Sequence, residues 1–86
     1  MEKIVCSIKP FTLTQMVYVY NENGLLEGTP STIDNLGNTI MALANKYNIQ
    51  RVDLTGPKMF LNGISKKIKK EEFTKYSNNT LDIHII

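Results

Sequence analysis

Tryptophan is absent from this 86-residue chain, and cysteine, histidine and arginine occur once each, as Cys6, His84 and Arg51. A single cysteine excludes an intramolecular disulfide framework and a cysteine-rich zinc site. It suits a reducing compartment, so a cytoplasmic location is expected. No run approaches the ~20 apolar residues of a spanning helix, and no membrane partner is expected. Met1-Glu2-Lys3-Ile4-Val5 opens as a strand pattern rather than as a basic segment before an apolar one, so no signal peptide is expected. Charge of one sign is also scarce. A net charge of +2 falls well short of the basic footprint of a dedicated nucleic-acid binder.

What is present is an ordinary globular balance, 42% hydrophobic and 21% charged. Aromatics are 8%, so the core must rest on Ile, Leu, Val and Met. The length fits one small domain over residues 1–86. The preference for Lys over Arg, with abundant Ile and Asn, points to an AT-rich coding sequence and a low-GC bacterial or phage origin.

Residues 3–9 alternate, with Ile4, Cys6 and Ile8 on one side, and Pro10 ends the strand. Residues 14–21 are β-branched and aromatic and form a second strand. Asn21-Glu22-Asn23-Gly24 is a turn, with Asn-Gly as a type I′ pair, and residues 25–28 form a short third strand. Thr29-Pro30-Ser31-Thr32 opens a helix, capped by Ser31 or Thr32 with Asp34 three residues after Ser31. Ile33, Leu36, Ile40, Leu43, Ala44 and Tyr47 keep helical spacing to about Asn48. Residues 50–54 form strand four, and Pro57 favours the first position of a second helix carrying Phe60, Leu61, Ile64 and Ile68. Residues 69–76 continue that helix or form another. Ser77-Asn78-Asn79 breaks it, and residues 81–86 make the last strand.

The order βββαβαβ predicts a meander extended by two right-handed crossovers. The expected fold is an α/β two-layer sandwich: a mixed five-stranded sheet in the order 3-2-1-4-5, with both helices on one face. This topology resembles the core of the ribonuclease H-like fold over the whole chain. The resemblance implies metal-binding carboxylates on the first strand, the first helix and the end of the fourth strand. Here strand one carries no acid, the first helix has only Asp34 at its start, and Asp53 alone lies near the expected end of strand four. Two-metal hydrolysis needs several converging carboxylates, so the likeness implies the scaffold without that chemistry.

Strand alternation turns Met16, Tyr18, Tyr20, Arg51, Asp53, Asp82, His84 and Ile86 to the face without helices, where Val5 and Ser7 join them. Tyr18, Tyr20, Arg51 and His84 are the candidate binding residues, since Tyr, Met and Arg are enriched at interfaces. The plain alternative is a solvated face with cross-strand pairs such as Arg51 with Asp82 or Asp53. Asp53, Asp82 and His84 resemble a metal set, but no fourth ligand is evident, so no metal is expected. Thr55-Gly56-Pro57 precedes a helix but lacks the glycines and the Gly-Lys-Ser/Thr of a phosphate loop, and a tight connection explains it. Lys66, Lys67, Lys69 and Lys70 form the densest basic cluster. They suit a phosphate backbone, with Tyr18 and Tyr20 stacking on bases, or a solvated helix face in which Lys67 pairs with Glu71. Cys6, flanked by Ile4 and Ile8, reads as a small buried apolar residue. No catalytic residues and no cofactor are expected. The function expected is that of a non-enzymatic binding or accessory protein, contacting a protein partner or a second copy through the open sheet face. The alternative is association with nucleic acid through the lysine cluster.

Overall fold

Alternating apolar residues on adjacent strands give the sheet one greasy face, and the two helices cover it. The computed structural model describes residues 2–75 and 81–86, the backbone alone for 69–75. The elements are β1 (Lys3–Ser7), β2 (Thr14–Asn21), β3 (Gly24–Thr32), a 3-10 turn (Ile33–Asn35), α1 (Leu36–Tyr47), β4 (Arg51–Thr55), α2 (Lys58–Lys75) and β5 (Asp82–Ile85). The strand order is β3-β2-β1-β4-β5. β1 and β3 run antiparallel to β2, and β4 is parallel to both β1 and β5. The α/β architecture expected from the sequence is therefore the one observed.

Ile4 and Cys6 of the central strand, Val17 and Val19 of β2, and Val52 and Leu54 of β4 are all fully buried. Leu36, Ile40 and Leu43 of α1 and Leu61, Ile64 and Ile68 of α2 complete the core over them. Burying a Leu- or Ile-sized side chain contributes ~1.5–3 kcal/mol, so a dozen such residues outweigh any surface pairing in fixing the register.

Four local expectations change. β3 runs to Thr32, so Thr29-Pro30-Ser31-Thr32 is strand rather than helix opening. β3 is an edge strand, where a proline need not remove a ladder bond, and Pro30 sits opposite Met16. The Ser31–Asp34 cap consequently does not form. The Ser31 hydroxyl donates to Thr32 O at 3.0 Å and accepts from Thr39 Oγ1 at 2.8 Å, and Thr32 makes no side-chain cap. The β2–β3 turn has Glu22-Asn23 at its centre, because Asn21 pairs with Gly24. Gly24 alone takes the positive φ, 120°, and Asn21 Oδ1 accepts the Asn23 N–H at 2.8 Å, so the turn is not a type I′ pair over Asn-Gly. Phe60 is 44% exposed and outside the core.

α1 closes at Asn48, which adopts the left-handed conformation asparagine tolerates (φ 55°). α2 begins after Pro57, whose carbonyl accepts the N–H groups of Phe60 and Leu61 at 3.0 and 3.1 Å. Its backbone is one continuous helix to Lys75. The expected break at Ser77-Asn78-Asn79 lies outside the described residues.

Candidate functional site

The face opposite the helices is built from alternate residues of five strands, and no described element covers it. One row crosses the sheet through five paired residues: Gly28, Tyr18, Val5, Asp53 and His84. In the next row Leu25 pairs with Tyr20, Tyr20 with Lys3, and Arg51 with Asp82. Tyr18, Tyr20, Arg51 and His84 thus share one face, as alternation predicts. They do not form one cluster. Tyr18 and His84 stand three strands apart, about 14 Å at ~4.8 Å per strand.

The tyrosines form the apolar side of this face. Their ring centroids lie 6.2 Å apart with the planes tilted at 49°. Tyr18 leans over the edge strand at Gly28, where an added Cβ would sit 3.1 Å from the ring carbons. The missing side chain of Gly28 is what lets the ring lie there. Met16 beside it is 37% exposed.

Charge occupies the other side. Arg51 takes Asp53 rather than Asp82, its Nε donating to Oδ1 at 3.0 Å. Lys3 Nζ stands 3.6 Å from the other carboxylate oxygen. Asp53 is only 4% exposed although its face has no covering layer, because the two cationic side chains close over it. Asp82 instead meets His84 Nε2 at 2.9 Å. Asp53 therefore sits with Arg51 and Lys3, and only Asp82 pairs with the imidazole. Among the described residues no three His, Cys, Asp or Glu side chains converge as a metal set.

The remaining candidates fall elsewhere. Gly56 has a φ of 140°, and an added Cβ would stand 2.8 Å from Ile8 O, so Thr55-Gly56-Pro57 is a tight strand-to-helix connection pressed against β1. Lys66 and Lys67 are exposed on α2, and Lys67 Nζ donates to Asp34 O at 2.9 Å. The side chains of Lys69, Lys70 and Glu71 lie outside the described residues. Because α2 packs on the helix-bearing face, Lys66 and Lys67 stand on the side of the sheet opposite Tyr18 and Tyr20. The described lysines of the α2 cluster and the tyrosines therefore do not meet in one surface. Cys6 is fully buried, and burial pushes its thiol up to about 11.

Two polar centres escaped the sequence reading. Gln15, 1% exposed, accepts the Lys9 N–H on Oε1 at 2.7 Å, and its Nε2 donates to Lys9 O at 2.9 Å and Thr12 O at 2.7 Å. Its signal was positional: a polar residue in the inward register of Val17 and Val19. Glu27 ties β3 to α1, accepting from Lys46 Nζ and Tyr47 Oη at 2.7 Å each and from Thr29 Oγ1 at 2.8 Å. The Lys46 hydrogen bond, followed by those of Tyr47 and Thr29, pulls its carboxyl down to about 2. No local pattern announced this link, because it joins residues about twenty positions apart across two layers.

No family model and no curated protein matches the chain. Among solved structures, the chain is similar to a Bacteroides thetaiotaomicron protein described as having an actin-like ATPase fold and unknown function. The TM-score is 0.69 at 14% identity, over 99% of this chain and 32% of that one. The chain thus spans about a third of its neighbour's length. At this identity the likeness establishes the fold alone, the mixed five-stranded sheet in the order 3-2-1-4-5 described above.

Proposed function

We propose that this is a non-enzymatic binding protein whose open sheet face receives a protein partner. The observation that carries the reading is the composition of that face. Tyr18, Tyr20 and Met16 form an apolar half, and Lys3, Arg51, Asp53, Asp82 and His84 form a half whose charges pair internally. A nearly neutral polar margin beside aromatic anchors suits a protein surface better than a polyanion, which rewards unpaired cations. Tyrosines also bury a large area at small entropic cost.

The test compares capture by three proteins: wild type, Tyr18→Ser/Tyr20→Ser, and Lys66→Glu/Lys67→Glu on the opposite face. A protein retained by the wild type and the lysine variant, but weakened about thirtyfold or more by the tyrosine variant, supports the reading. Retention that survives loss of both tyrosines in a folded protein refutes it.

A further inference from the structure

β1, β3, β4 and β5 all run in one direction, so their carboxyl ends lie at one end of the sheet. The most exposed large hydrophobic side chains among the described residues are found there: Phe11 at 100%, Leu13 at 88% and Met59 at 88%. The β1–β2 loop that carries Phe11 and Leu13 and the β4–α2 connection that leads to Met59, in the first turn of α2, leave the sheet side by side. Ile8 N–H donates to Thr55 O at 2.7 Å, and Gly56 presses on Ile8 O.

The loop holding Phe11 and Leu13 is pinned rather than slack. Gln15 binds it through the three hydrogen bonds described above, and Thr12 N–H donates to Lys9 O at 3.2 Å. Pro10 removes one further donor. The backbone N–H and C=O groups of Lys9 and Thr12 are thereby satisfied within the protein, while the apolar side chains of Phe11 and Leu13 face water. That combination is what a segment needs to enter a lipid interface, where unbonded backbone groups are costly. A bilayer also accepts projecting side chains without a matching pocket. Lys9 and Lys58, both exposed, adjoin the two apolar tips, while the exposed acid on the neighbouring 3-10 turn is Asp34.

We propose that this end of the sheet docks on an anionic lipid surface, with Phe11, Leu13 and Met59 entering the interface and Lys9 and Lys58 meeting acidic headgroups. The sequence-based expectation of no membrane partner rested on the want of a spanning run. No described helix is long and apolar enough to cross a membrane, and this contact needs none. The surface adjoins the tyrosine face, since Lys9 and Thr12 line one pocket with Met16 and Tyr18, but Phe11, Leu13 and Met59 lie outside that pocket.

Flotation with vesicles of phosphatidylcholine and phosphatidylglycerol, against phosphatidylcholine alone, tests the proposal. The wild type should float with the anionic vesicles and lose binding as salt rises. Phe11→Ser/Leu13→Ser should cut the bound fraction about tenfold or more while melting like the wild type, since both side chains are already in water. Should that variant fail to fold, Met59→Ser provides the same comparison from the first turn of α2. Lys9→Gln/Lys58→Gln should weaken binding and flatten its salt dependence. Absence of wild-type binding to anionic vesicles, equal binding to neutral ones, or undiminished binding of a folded apolar-loop variant would overturn the proposal. So would a wild-type dimer abolished by Phe11→Ser, which would assign this end to a protein contact.

Discussion

Replacing Gln15 with alanine tests how the β1–β2 loop holds its shape. The side chain makes three hydrogen bonds to loop backbone, all at 2.7–2.9 Å. Neutral hydrogen bonds contribute ~0.5–1.5 kcal/mol each, or roughly 1.5–4.5 kcal/mol for three. Lys9 and Thr12 are exposed, so their freed backbone groups rehydrate, and the loss should fall in the lower half, about 2 kcal/mol. For a domain of this size that corresponds to a fall of roughly 10 °C in melting temperature. Amide exchange gives a second readout, because Lys9 N–H loses its acceptor and should exchange faster than the fall in global stability alone accounts for, while the core amides of β1 speed up only by that fall. Gln15→Glu separates hydrogen bonding from shape. It sets a carboxylate oxygen where a donor faced two carbonyls, so it should destabilise more than alanine at pH 7. The deficit should shrink as pH falls and the carboxyl protonates, because burial against carbonyls raises its folded pKa above the unfolded one. A Gln15→Ala protein that melts within ~0.5 kcal/mol of wild type, with unchanged Lys9 exchange, would refute the reasoning, since that spread is ordinary for surface changes.

Val17→Asp should unfold the domain, because Val17 is fully buried and an unpaired charge there costs several kcal/mol; a cooperative melt near the wild-type midpoint would contradict the β2 register. Cys6 should resist thiol reagents in the native state and react promptly in denaturant, since it is buried and its thiol is held near 11. Glu27 is depressed from 4.5 to about 2, so its stabilising contribution is full above the unfolded value and disappears as pH falls through that window. Between pH 4.5 and 2 the wild type should therefore lose more of its melting temperature than Glu27→Gln, and parallel curves would count against the Glu27–Lys46–Tyr47 lock.

The sheet order was legible because strand alternation and helix periodicity report burial, and burial dominates the energetics. Cys6, Val17 and Val52 lie inside as their spacing demands. The β3 boundary was not legible, because Pro30 and Ser31 are common at helix starts and only their position on an edge strand makes them strand residues. The turn failed for a related reason: Asn23-Gly24 has the composition of a type I′ pair, but the register of Asn21 with Gly24 decides which residues are central. Of the candidate site, alternation placed Tyr18, Tyr20, Arg51 and His84 on one face. It did not choose between Asp53 and Asp82 as the partner of Arg51, since that choice depends on side-chain reach. Nor did it foresee that Phe11 and Leu13 stand in water, because a loop's posture follows from Gln15, whose partners only the folded chain brings together.

Oxidative footprinting of the free protein and of the complex it forms tests the central claim most directly, because it reads side-chain access residue by residue. A partner seated on the open face should protect Met16, Tyr18 and Tyr20 against hydroxyl radicals and leave Met59, at the end of the sheet and 88% exposed, as reactive as before. Unchanged labelling of Met16, Tyr18 and Tyr20, with protection confined to the outer surfaces of α1 and α2 or to Met59, would contradict it.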